Sequence, residues 1–234
     1  GLLKFVTVEP SLTAFKGRIE GGVSSVSHGD KAGYRVRASA NMPLGDTLAL
    51  RASGFTLRDP GFVDNLRNGD RDINSTSSKG GRLSMLWKPA EEVSVKLGAV
   101  IQDYKRHGTS DIDTALTPRY SQSRLPGSGV YQRKTKIFNA TINAQLDSAE
   151  ITSATGFSLD EAFTNLDGSD AFSGDAQREF GVGGSATPFT RRYDKFSQEL
   201  RARIALSDNI DWLVGAFYTN ESSKLRGRYT ANDS

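Results

Sequence analysis

Charged side chains at two-residue spacing are the first feature of this sequence with chemical potential. Arg35 and Arg37, Arg51, and Glu199, Arg201 and Arg203 sit among apolar or small residues. Guanidinium and carboxylate groups along one wall make charge-assisted hydrogen bonds that form and break without a permanent apolar seal. Catalysis would need a nucleophile and base converging on one point, and no such constellation is placed. His107 lies near Asp103, Asp111 and Asp113, which supplies an Asp/His pair but no nucleophile. His28 and His107 each stand alone in a predicted loop, whereas a metal site needs several convergent ligands. The run Asp167-Gly168-Ser169-Asp170 with Asp175 misses the calcium-loop spacing and reads as an acidic, glycine-rich loop. Gly181-Val182-Gly183-Gly184 does not sit between a strand and a helix, so a nucleotide site has no support. Arg191 and Arg192 at a loop end either attract an anionic ligand or mark a rim. No catalytic, cofactor-binding or metal-ligating residue is assigned, and the expectation is not an enzyme.

The elements that position these charges are strands. Phe196, Leu200, Ala202, Ile204 and Leu206 alternate with Glu199, Arg201 and Arg203, so the two faces of that strand meet different surroundings. The same period-two pattern recurs to give about nine strands, near residues 15–24, 32–41, 48–57, 82–88, 93–102, 138–146, 151–159, 196–206 and 210–219. The seventh is weak, with Ser153 and Thr155 where apolar groups are expected. Polar turns at Pro43-Leu44-Gly45-Asp46, Pro89-Ala90-Glu91-Glu92, Asp147-Ser148 and Ser207-Asp208-Asn209 read as hairpins. Longer polar connections cover residues 61–79, 107–130 and 160–191, alternating with the short ones except at residues 28–31.

Composition leaves few other classes open. No Cys among 234 residues excludes disulfide scaffolds and thiolate chemistry. Thirty basic against 27 acidic residues, scattered along strands, gives no argument for nucleic acid. No window approaches 18 apolar residues, which excludes a transmembrane helix but leaves a β-barrel open. Long strands and one-sided long loops fit an antiparallel transmembrane barrel better than a soluble sheet with one wet face. Trp87 and Trp212, the only tryptophans, fall on the apolar face close to short turns, as in a membrane-interface girdle. The opposite face carries Lys16, Arg18, Glu20 and Arg82 besides the six charges above.

Three places resemble the TonB-dependent outer-membrane receptors, in particular the iron-complex receptors. GLLKFVTVEP at residues 1–10 is similar to the last strand of the family's plug, keeping Val6-Thr7 and Pro10 but departing at Leu3, Lys4 and Glu9. Residues 14–60 look like the opening barrel hairpins, ending in Leu50-Arg51-Ala52-Ser53-Gly54-Phe55. Phe196-Ser197-Gln198-Glu199-Leu200-Arg201, a short turn and Trp212-Leu213-Val214-Gly215-Ala216-Phe217-Tyr218 complete the match. The resemblance implies residues 1–10 as the end of a plug and 11–234 as the N-terminal part of a barrel of about 22 strands. It therefore implies an interior segment of a longer receptor, without the region that carries a TonB box.

What the resemblance implies about function is uptake of a scarce solute, such as an iron–siderophore complex, across the bacterial outer membrane. Its partners would be TonB, the protein's own plug, the small-molecule ligand and outer-membrane lipid, with no nucleic acid. Arg35, Arg37, Arg51, Glu199, Arg201 and Arg203 are then expected to face the plug, and Trp87 and Trp212 the membrane interface. A passive porin and a soluble secreted β-sheet binding protein are the competing readings. The first would lack a plug, and the second would need no detergent.

Overall fold

A computed structural model describes residues 7–207 and 209–232. Its elements are β1 (Lys16–Ser24), β2 (Gly33–Pro43), β3 (Leu48–Asp59), β4 (Asp64–Asn65), β5 (Thr76–Ala90), β6 (Val93–Arg106), β7 (Ser121–Gln122), β8 (Tyr131–Leu146), β9 (Ala149–Asp167), α1 (Ser169–Phe180), β10 (Ser185–Ser207), β11 (Ile210–Gly227) and β12 (Thr230–Ala231). Nine long strands form one antiparallel sheet in the order β1-β2-β3-β5-β6-β8-β9-β10-β11, with β12 added to the loop end of β10. The nine alternating segments of the sequence thus become nine consecutive neighbours in a meander.

All short turns, after β2, β5, β8 and β10, lie at one end of the sheet. Residues 25–32, between β1 and β2, lie at the other end with the long connections, so the apparent exception at residues 28–31 is only a shorter loop at the correct end. Gly45, with φ of 102°, supplies the left-handed position that the β2–β3 turn requires. Asp208, in the turn after β10, lies outside the described residues.

Strand lengths correct two boundaries. The connection expected over 61–79 ends at Thr76, and the one expected over 160–191 is mostly structured. There β9 continues to Asp167, β10 begins at Ser185, and α1 lies between them. The reason is physical: past Leu159 both faces of these strands carry polar groups, so alternation stops although backbone pairing continues. Residues 7–10 are not in a strand, and 1–6, which carry the rest of the plug-like string, lie outside the described residues.

Register sorts the side chains into two faces. Ile19 pairs with Ala38, Leu50 with Met85, Leu97 with Ala140, and Leu200 with Ala216, all on an apolar face. The other face is charged, yet it holds the buried strand side chains Asn41, Ala49, Ser78, Ser84, Leu86 and Ala162. Most large apolar side chains of the strands are exposed on the apolar face, among them Ile19, Leu97, Ile101, Phe138 and Trp212. This inverts the ordinary relation of a soluble sheet to its core.

The apolar face forms a band with two borders. On β5 it runs from Trp87 to the first charge at Lys79; on β11 it runs from Trp212 to Asn220. Each stretch is eight residues, ~26 Å along a strand. Following paired residues from Trp87 through Val95, Ile142, Ser153 and Leu200 leads to Ala216, four residues beyond Trp212. Both borders shift by those four residues, ~13 Å over five strand spacings, which gives a slant of roughly 30° against the ~35–45° tilt of barrels. A level band must cross the pairing rows obliquely when strands tilt. One polar trio interrupts it: Thr155 Oγ1 donates to Gln198 Oε1 (2.5 Å), and Gln198 Nε2 donates to Ser153 Oγ (3.0 Å).

The packed interior lies in the loops. Val63 and Leu125 are fully buried there. Asn74 Oδ1 accepts the Phe62 and Val63 amides (2.7 and 3.0 Å), and Asn65 exchanges two bonds with the Arg124 backbone (2.9 and 3.0 Å). A short parallel pairing of β4 with β7 ties two loops into one cap.

Candidate functional site

The charged face is the candidate site. Register places Arg35, Arg37, Arg51, Glu199, Arg201 and Arg203 on it together, and Trp87 and Trp212 on the opposite face. The six charges do not converge. The first three stand on β2 and β3 and the last three on β10, with β5, β6, β8 and β9 between them. They line a wall, and no single constellation joins them.

Within each group the contacts differ. Arg37 borders a cavity of about 490 Å³ with Arg18, Glu20, Phe55, Arg82 and Gln102. Arg35 borders a neighbouring one of about 330 Å³ with Glu20 and Asp59. Arg51 Nη2 reaches Ser39 Oγ at 3.5 Å, which is the limit of a hydrogen bond. On β10, Arg201 Nε pairs with Glu199 Oε1 (3.0 Å) and Arg203 Nε donates to Asp211 Oδ2 on β11 (3.2 Å). Among the described residues, Arg35 and Arg37 thus keep free donors, while Arg201 and Arg203 are paired with Glu199 on β10 and Asp211 on β11. Chemically the wall can hold and release anionic or hydrogen-bond-accepting surfaces.

Three residues that the alternation does not single out organise the short-turn end of this face. Asn41 is 1% exposed. Its Oδ1 accepts the Ser11 amide (2.8 Å), and its Nδ2 donates to the carbonyls of Ser11 (2.9 Å) and Ala14 (2.8 Å). Lys96 Nζ pairs with Glu9 Oε1 at 2.7 Å. The segment before β1 therefore crosses the charged face, fastened on β2 and β6. Asn41 occupies an ordinary polar phase of β2, so only the fold reveals what it holds.

The other expected groups stay apart. His28 bonds Ser27 Oγ (3.0 Å) and packs its ring 4.7 Å from that of Tyr120. His107 Nδ1 lies 3.1 Å from the Ser75 carbonyl. Asp167 accepts the amides of Leu125 (2.8 Å) and Ser169 (3.0 Å), and Asp170 pairs with Arg124 (3.1 Å). Among the described residues no three His, Cys, Asp or Glu side chains are grouped to hold a metal.

No protein-family profile matches the chain, and no curated protein matches it. A solved structure does: the ferric yersiniabactin uptake receptor FyuA from Yersinia pestis superposes with a TM-score of 0.73 at 18% identity, over 96% of this chain and 33% of that one. The chain spans about a third of the length of that receptor. At this identity the likeness establishes the fold: an antiparallel β-barrel segment like part of the receptor's.

Proposed function

We propose that the chain is wall from a TonB-dependent outer-membrane receptor that takes up a scarce solute, with an iron–siderophore complex as the foremost candidate. The observation that carries this reading is the path of residues 9–14 across the charged face, held by Asn41 and Lys96. A segment that enters along the inner wall suits a barrel filled by a plug from its own chain, which a passive porin lacks. The fold shared with the ferric yersiniabactin receptor supports the same class, and its ligand suggests the kind of solute. The slanted apolar band supports lipid on the other face, with Trp87 and Trp212 at the interface nearer the short turns.

On this reading Arg35, Arg37, Arg51, Glu199, Arg201 and Arg203 face the plug in the lumen. The free guanidinium donors of β2 and β3 bond plug carboxylates and carbonyls, and exchange them for water when TonB, driven by the inner-membrane proton gradient, displaces the plug. Radiolabelled ferric-siderophore uptake by cells expressing the full-length protein, with and without TonB, tests this. Uptake abolished without TonB is expected. Uptake that persists without TonB indicates a passive porin, and a full-length protein soluble without detergent contradicts any membrane reading.

A further inference from the structure

The charged face is not uniform around the wall. On β8 from Thr135 to Gln145, and on β9 from Thr152 to Ser158, that face carries no ionisable side chain. Neutral amides, hydroxyls and small or apolar residues fill these positions for ~20 Å along β9. The stretch ends at the Arg133–Asp160 pair (2.7 Å) toward the loops and at Glu150 toward the turns. Within it Asn139, Thr141 and Ser158 form no side-chain hydrogen bond among the described residues. Thr152 donates to Asn143 (2.9 Å), and Asn139 lies so close over Gly98 that a Cβ there would overlap its amide.

The flanking strands hold charge in two different ways. On β2, β3 and β5, Arg35, Arg37, Arg51 and Arg82 make no ion pair among the described residues. Glu20, the carboxylate beside them, is bonded to Arg18, and Asp59 at the loop end accepts from Thr76. On β10 the charges are matched within the wall, by Arg201–Glu199, Arg203–Asp211 and Lys195–Glu221. Unmatched guanidiniums favour carboxylates or carbonyls on whatever fills the lumen. The segment of residues 9–14 is fastened on this same side, at Asn41 on β2 and Lys96 on β6.

We infer that, within this wall, the plug is held longest against β2, β3 and β5 and parts first from β8 and β9, opening there a passage lined by neutral amides and hydroxyls. The inference rests on the proposed function, in which a plug fills the lumen. Two independent observations agree on the fixed side: the unpaired guanidiniums and the tethered segment. Charge-assisted bonds are roughly twice as strong as neutral ones, so separation starts where the wall offers only neutral partners. Water replaces those neutral bonds at little net cost. A solute in the passage meets donors and acceptors but no fixed charge, which suits an oxygen-rich, hydrogen-bonding solute whatever its net charge.

The test uses the full-length protein in detergent, carrying a single cysteine in place of Asn139, Thr141, Ser158, Ser39 or Ser53. Ser39 and Ser53 line the arginine side, at the cavity of Arg37 and Arg82. Labelling by a water-soluble maleimide is followed in urea too dilute to unfold the barrel, each rate divided by that of the same variant fully unfolded. Before urea all five positions are expected to label slowly. In urea Asn139→Cys, Thr141→Cys and Ser158→Cys should label about tenfold faster than Ser39→Cys and Ser53→Cys. Adding R37Q/R82Q, or salt at about 1 M, should each bring Ser39→Cys and Ser53→Cys up toward the faster rate. Equal rates, a reversed order, or no response to salt and to R37Q/R82Q overturns the inference and leaves the proposed function standing. Full labelling of all five before urea shows instead that no plug covers the wall, and overturns both.

Discussion

Asn41 shows how much one buried side chain can decide. Its three bonds satisfy two carbonyls and one amide of a segment with no strand partner. The Glu9–Lys96 pair beside it is partly exposed, so solvent screens it to at most about 1 kcal/mol. Asn41→Ala instead leaves half-buried backbone groups of Ser11 and Ala14 without partners, at about 1–3 kcal/mol. Amide exchange at Ser11 should therefore accelerate by tenfold or more in Asn41→Ala, and only slightly in Glu9→Gln; the reverse order would contradict the assignment. The Ser153–Gln198–Thr155 trio obeys the same logic on the apolar face. Gln198→Ala should lower thermal stability by about 1 kcal/mol, whereas replacing all three by Ala, Leu and Val should be near neutral. Neither role was legible beforehand. An Asn in polar phase looks like any other, and the trio registers in the sequence only as a weak strand.

At the scale of elements, legibility followed the surroundings of each face. Within the apolar band, alternation marked all nine long strands, because one face of each carries apolar side chains and the other polar and charged ones. Beyond the band that contrast vanishes, so the upper parts of β9 and β10 read as loop. Helix α1 was missed although its signals exist: Asp170 in the first turn, Arg178 in the last, and Gly181 at φ 72° as the left-handed cap. Its apolar content is slight, with Ala176 its one buried residue, so periodicity could not show it. Gly181→Val should destabilise α1 by about 1 kcal/mol or more, seen as faster amide exchange over residues 176–182. Asp167 fastens the base of this helix, outside the apolar band. Partial burial pushes its carboxyl up, but hydrogen bonds from Ser169 and the Leu125 amide, with the Arg124 charge, outweigh that and hold it below the ordinary range. A carboxylate depressed in the folded state stabilises above its unfolded value near 4 and loses that contribution as pH falls further. The loop cap should therefore loosen below about pH 4, and Asp167→Asn should remove that acid dependence.

At the scale of the whole molecule, the fold and the orientation are separate statements. The sheet order and register stand with the barrel likeness at a TM-score of 0.73. Which face meets lipid is the central claim, and it rests on the exposed apolar band and on the segment crossing the opposite face. The most direct measurement is a cysteine scan along β10 in membranes carrying the full-length protein. Brominated lipid should quench fluorophores at Phe196, Leu200 and Ala202, while Glu199, Arg201 and Arg203 should react with a water-soluble maleimide once the plug is removed. Lipid quenching at Glu199, Arg201 or Arg203, or no period-two difference along the strand, would contradict the account.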